Sequence, residues 1–317
     1  MPPKVSVNIC CYNSEKFIKE TIESVLAQTF NDYEAIIIDD GSKDRTGEII
    51  KSFNDPRIKY YYQENRGLSA SRNRAIELSQ GEYIALLDHD DIWYPNKLEK
   101  QMRLFNENPE IGLVFSNCYI KMVRNNKGRL FFRENEDFEK DPAGKLFLKD
   151  YIPLFTIIVK KSIFNEIGGF DTNYRSCEDY DFLFRIIDKY RIGHIKEPLG
   201  DYILHGSNTY IVHSKKAHEE ELQVINHYLN VYPETYKINR EAIEQRIARI
   251  TALLAADNIL EGNYTAAKKC LESALKIDKK NWEIKAFSGI FNISPEMAKI
   301  IFKIIRSSHW GTTNDRF

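Results

Sequence analysis

Four short apolar runs, each stopping at polar or acidic residues and each followed by a segment of helical period, constrain this chain most. The runs are KVSVNICCYN, YEAIIIDDGS, RIKYYYQ and EYIALLDHDD. Between them, NSEKFIKETIESVLAQTF places Phe17, Ile18, Ile22, Val25, Leu26 and Phe30 at helical spacing, with Asn13 or Ser14 available as a cap. KDRTGEIIKSF reads as a helix capped near Asp44, and GLSASRNRAIELSQG as one closed by Gly81 as C-cap. PNKLEKQMRLFNEN sets Leu98, Met102 and Phe105 on one helix face. Strands alternating with helices predict an α/β fold with a mostly parallel central sheet flanked by helices. In such sheets ligands bind where the strands end. Cys10–Asn13, Asp39–Gly41 and Asp88–Asp91 should therefore line one crevice.

From about Ile111 the pattern is mixed. IGLVFSNCYIKMV reads as a long strand, the polar stretch Asn125–Gly144 as a loop or lid, and YRSCEDYDFLFRIIDKY as a helix that opens with acids. Beyond about Ser214 the strands stop and successive helices follow, including one tetratricopeptide-like helix pair, AADNILEGNYTAAKKCLESALKID. A single pair falls short of the three or so repeats that a solenoid needs. The expected domains are 1–213, α/β, and 214–317, an all-α C-terminal extension. The last helix sets Lys299, Lys303 and Arg306 beside Ile300, Ile301, Phe302, Ile304 and Ile305. That pattern suits packing on neighbouring helices, pairing of two subunits into a homodimer, or peripheral contact with the inner face of a membrane.

Net charge is −1 over 317 residues, so no global charge points to nucleic acid. The opening residues MPPKVSVNICCYN lack the apolar run of a signal peptide, and no apolar stretch nears the ~20 residues of a membrane span. Five cysteines without a C-x-x-C pair suggest neither a disulfide framework nor a zinc site, and a reducing cytoplasm is expected.

LLDHDD packs three carboxylates and an imidazole, His89, behind an apolar run. Like charges this close repel. The stretch is either a solvated turn with a helix cap at Asp91 or the site of a divalent cation, Mg²⁺ or Mn²⁺, shared with a substrate's phosphates. Asp39 and Asp40 can accept from a base or a ribose, or simply form a turn with Gly41. Tyr12 can stack on a planar ring. Arg72 and Arg74 can neutralise phosphate or sit on a solvated helix face. Glu178, Asp179 and Asp181 suit a helix N-terminus, and a carboxylate there can equally act as a general base. His205 can ligate a metal or contact phosphate.

The ordered set VSVNICCYN, IESVLAQTF, DYEAIIIDDGSKDRT, NRGLSASRNRAI, GEYIALLDHDD and CEDYDFLFR resembles the family-2 glycosyltransferases of GT-A fold, over about Lys4 to His213. The resemblance implies a Rossmann-like GT-A domain, a nucleotide-sugar donor with uridine the commonest base, a divalent metal, and inversion by direct displacement onto a saccharide or lipid-linked acceptor. By position, Cys10, Tyr12 and Asp40 would hold the nucleobase and Arg72 would face the diphosphate. Asp88, with His89 beside it, would contact ribose or sugar, Asp90 would ligate the metal with His205 near it, and Asp179 would be the base. Two positions depart from the family pattern. Cys10 replaces a small hydroxyl residue, and Tyr202, Ile203 and Leu204 stand where an arginine often precedes the histidine. At the level of residues two other readings remain open. One is a nucleotidyltransferase, against which CCYNSEKF lacks the glycine-rich loop. The other is a non-catalytic scaffold working through its helical tail.

Overall fold

The computed structural model describes residues 2–123, 128–132, 138, 140–205, 208 and 214–309. Of the expected loop or lid, 125–144, residues 125–127, 133–137 and 139 lie outside them. The chain forms two compact units, Met1–Pro142 with Ile152–Asn208, and Ala143–Tyr151 with Thr209–Phe317. The stretch 143–151 thus belongs with the helices.

In the first unit, β1 (Val5–Cys11), β2 (Tyr33–Asp39), β3 (Ile58–Tyr62) and β4 (Tyr83–Asp88) pair in parallel in the order β3-β2-β1-β4. Helices α1 (Ile18–Leu26), α2 (Thr46–Lys51) and α3 (Leu68–Leu78) connect them. Every residue of β1 and β2 is buried, as expected for parallel strands covered on both faces. The register sets Cys11 beside Asp39 and Cys10 beside Asp88, so the loops after β1, β2 and β4 leave the sheet at one level.

The sheet then turns mixed. β5 (Ile92–Trp93), β6 (Ile111–Met122), β7 (Gly128–Leu130), β8 (Ile158–Lys160) and β9 (Arg191–Leu204) extend it beyond β4 in the order β8-β6-β9-β5, with β7 on β6. Every antiparallel pairing involves one of these later strands, while β6 and β9 run parallel. Helix α4 (Lys97–Glu107) buries Leu98, Met102 and Phe105 as expected, a contribution of roughly 2 kcal/mol each. α5 (Pro142–Leu148), α6 (Lys161–Ile167) and α7 (Glu178–Ile187) follow.

Two capping expectations are corrected. Helix α1 takes no side-chain cap. Asn13, at φ +50°, instead accepts from Lys43 N with its Oδ1, and the Ser14 carbonyl receives Phe17 N and Ile18 N. Gly81 is not the C-cap of α3, which ends at Ser79 in extended backbone. Its role is close approach to β1, since a Cβ there would lie 2.5 Å from Ser6 N. Asp44 does serve α2, accepting from Thr46 N at 3.0 Å.

The second unit is helical: α8 (Ser214–Val231), α9 (Pro233–Leu260), α10 (Tyr264–Ile277), α11 (Trp282–Ile293) and α12 (Pro295–His309). Gly262 at φ +81° makes the turn of the helix pair read from the sequence, and Asn263 caps α10. Ala255, Ile259, Ala267, Leu271, Phe291 and Ala298 form one core cluster. Phe147 meets Tyr232 edge-on, and Arg246 Nη1 donates to the Leu146 carbonyl at 2.7 Å. No helix among the described residues is long and apolar enough to cross a membrane.

Candidate active site

The acidic turn after β4 is held from two sides. Thr21 of α1 donates its hydroxyl to the carbonyls of His89 and Asp91, at 2.9 and 3.0 Å. From β9, Ile203 N donates to Asp91 Oδ1 at 2.9 Å. Asp91 is fully buried. Burial pushes its carboxyl well above the ordinary range, and the Asp90 and Asp88 charges push the same way. It is the structural member of the cluster.

Asp90 points the other way. Its Oδ2 lies 2.8 Å from His205 Nε2 and 4.0 Å from His89 Nε2. Burial works to raise the Asp90 carboxyl, but the two imidazoles outweigh it and hold the group below its usual value. The His205 ring stacks on Phe17, with centroids 4.3 Å apart, and its backbone N–H donates to Asn208 Oδ1 at 2.7 Å. Thr21, Phe17 and Asn208 were not among the expected site residues: the contacts of Thr21 and Phe17 join residues far apart in the chain, and Asn208 is a loop residue three positions from His205.

Asp90 and His205 thus offer one ionised carboxylate and one imidazole side by side, just beyond the ends of β4 and β9. Among the described residues no group of three His, Cys, Asp or Glu side chains is arranged to hold a metal. Two protein ligands suit a divalent ion that completes its shell with substrate phosphates and water, rather than one caged by protein.

Arg72 of α3 is 5% exposed. Its Nη2 donates to Asp88 Oδ1 at 2.8 Å and its Nη1 to Glu178 Oε1 at 2.5 Å, and Phe170 lies under the guanidinium at 5.4 Å. Burial alone would lower the Arg72 pKa, but Asp88, Glu178 and Asp179 reverse it, so the group stays cationic. Arg74, by contrast, reaches Gln63 Oε1 at 2.8 Å.

Helix α7 opens with three acids in different settings. Glu178 is 3% exposed and pushed up to about 7, chiefly by burial, with Arg72 opposing and Asp179 adding. Asp179 is half-buried and accepts from Tyr180 N at 2.8 Å. Asp181 accepts from Arg185 Nε at 2.9 Å, one helical turn on.

At the β2 end, both aspartates are engaged. Asp39 accepts from Ser42 N and the Tyr60 hydroxyl. Asp40 accepts from Gln63 Nε2, Arg66 N and Gly67 N, which fixes the loop that leads into α3. Cys10 packs with Ile36, Ile38 and Ala75, and burial pushes its thiol up to about 12. Its side chain is therefore part of the core. Tyr12 is 45% exposed directly beyond β1.

The sheet's β4 thus ends in an acidic turn, and Arg72 joins that strand end to the acid-bearing start of α7. The sequence profile described as Glycosyl transferase family 2 matches residues 6–168, and the chain belongs to that family. Asp179 and His205 lie beyond the matched stretch. A glycosyltransferase of Methanocaldococcus jannaschii, uncharacterized, is 36% identical over 68% of this chain and 75% of its own length. Another, of Rickettsia typhi, is 34% identical over 58% of this chain. The match spans 59% of that relative and 45% of a Rickettsia bellii relative, so the chain corresponds to about half the length of these proteins. Among solved structures, S. aureus TarS 1–349 in complex with UDP-GlcNAc aligns with TM-score 0.62 at 17% identity, covering 96% of this chain and 92% of that one. The mannosyltransferase PcManGT of Pyrobaculum calidifontis, in complex with GDP-Man and Mn²⁺, aligns with TM-score 0.58 at 15% identity, covering 99% and 89%. These likenesses establish the fold.

Proposed function

We propose that the chain is an inverting glycosyltransferase that moves a sugar from a nucleoside-diphosphate donor, a UDP-sugar, to a hydroxyl of a saccharide or lipid-linked acceptor. The observation that carries this reading is the Asp90–His205 pair at the end of β4, in one unit with a half-buried Asp179 at the start of α7. Family membership and the UDP-GlcNAc complex of TarS support the donor class. The domains are taken as 1–213 for transfer and 214–317 for a helical extension, working in the cytoplasm in polysaccharide or glycolipid synthesis.

In this reading Tyr12 stacks on the base, Asp40 and the Cys10 main chain border it, and Asp88 and His89 face the ribose or sugar. Asp90 and His205 would hold Mg²⁺ or Mn²⁺, which when bound would supply positive charge against the diphosphate. Asp179 takes the proton from the acceptor hydroxyl as its oxygen attacks the anomeric carbon. The carbon–oxygen bond to the phosphate breaks, the diphosphate leaves with the electron pair, and configuration inverts. A base in this role contributes about 10²–10⁴ in rate. Asp179 suits it because it is half-buried at the start of α7, at the position that the family resemblance gives the base.

The test is calorimetric titration with UDP, with and without Mn²⁺, on the wild type and Asp90→Ala. Metal-dependent binding that Asp90→Ala abolishes supports the donor site. No binding of UDP or of any other nucleoside diphosphate overturns the reading.

A further inference from the structure

We propose that Arg72 is a positioning residue for the helix of the base, and not a ligand of the donor diphosphate. This rests on the transferase reading above. The guanidinium is buried and already divided between two carboxylates on separate elements, Asp88 at the end of β4 and Glu178 at the start of α7. Both contacts are charge-assisted. Swinging the guanidinium towards a phosphate would loosen its contact with Glu178, which is 3% exposed, and an ion pair broken at a buried acid is strongly unfavourable. Glu178 Oε2 has no other partner to fall back on.

The neighbouring residues of α3 act on the same segment. Asn73 clamps Phe170 from both sides, donating Nδ2 to its carbonyl at 2.8 Å and accepting its N–H at 2.7 Å. Ser69 donates its hydroxyl to the Tyr174 carbonyl at 3.1 Å. One face of α3 therefore fixes the chain at 170, 174 and 178, which is the whole approach to Asp179. The backbone comes so close that a Cβ on Gly169 would lie 2.2 Å from Asn73 Oδ1. A phosphate-binding arginine has no need of this arrangement. A helix that must deliver a carboxylate to a fixed point does, because displacement of a reacting group by about 1 Å can cost about a hundredfold in rate.

The experiment uses the full chain with Mn²⁺ and three variants, Arg72→Lys, Asn73→Ala and Glu178→Gln. Titration with UDP and with UMP measures how far the second phosphate strengthens binding. Hydrolysis of UDP-sugars gives kcat and KM, and amide exchange reports on residues 170–181. The expected result is a UDP-to-UMP affinity ratio within about twofold of wild type in all three. Exchange at 170–181 should be faster in Arg72→Lys and Asn73→Ala, with kcat down by about ten- to a hundredfold and KM held. Should Arg72→Lys fail to fold, Asn73→Ala carries the test, since it touches no acid of the site. Selective loss of the UDP preference in Arg72→Lys, or unchanged exchange and kcat in Asn73→Ala, overturns the inference while leaving the transferase reading intact. A wild type that binds no nucleoside diphosphate overturns both.

Discussion

Glu178→Gln should stabilise the fold above neutral pH and leave it nearly unchanged in mild acid. The carboxyl is buried and its pKa rises from 4.5 to about 7 on folding. Below 4.5 both the folded and unfolded chains hold the proton, and nothing is lost. As pH climbs from 4.5 towards 7 the unfolded chain gives up its proton while the folded one retains it, so stability falls. Above 7 the loss is complete. At about 1.4 kcal/mol per pH unit the full penalty is roughly 3 kcal/mol, an upper figure because Arg72 shares in it. Glutamine keeps the acceptor that faces Arg72 and never ionises. Urea unfolding of wild type and Glu178→Gln at several pH values between 4 and 8.5 measures the difference directly. The two should coincide near pH 4 and diverge to a few kcal/mol by pH 8, with the variant more stable. A difference that is flat with pH, or that favours the wild type at pH 8, would refute the reasoning.

Asp179→Asn should reduce transfer by about 10²–10⁴ while UDP titrations stay at the wild-type value, which separates chemistry from donor binding. Lys97→Met should melt at a higher temperature at pH 7. Its ammonium is fully buried against Gln101 and the Trp93 ring, and burial holds its pKa well below 10.5, so the wild type loses stability as pH falls from that value and the variant does not. Equal melting temperatures would show that the amine costs nothing where it lies. Gly81→Ala should lose more than about 2 kcal/mol, since its Cβ would press on the β1 main chain at Ser6, and denaturant titration would reveal it.

The parallel half of the sheet was legible because each strand is an unbroken apolar run that ends in polar residues, and each helix carries its own period. Beyond β4 that logic fails for physical reasons. β9 runs for fourteen residues, yet it contains Pro198 and shifts register against β6 near Ser116 and Asn117, so neither alternation nor an apolar run marks it. β5 and β8 are two and three residues long and exist only through their partners. The acids of the site could be picked from the sequence because charge at a strand end needs an explanation. What each acid does could not. Asp90 and Asp91 are adjacent, and only their partners, His205 for one and Ile203 N for the other, separate an ionised carboxylate from a buried strut. Arg72 was readable as a cation but not as a bracket, since Glu178 stands 106 positions away.

The order in which the chain visits its two units bears on how the protein can be divided. The chain leaves the α/β unit at residue 143, returns at 152 and departs again at 209. A cut at residue 213 would therefore not release a self-sufficient fragment. It would strand Leu146 and Phe147, both now buried, without Tyr232 and Arg246. A truncation that respects the molecule must either keep the helices or replace 143–151 as well. By the same reasoning the helical unit is unsuited to exchange as a cassette, because part of it is spliced into the middle of its neighbour's chain.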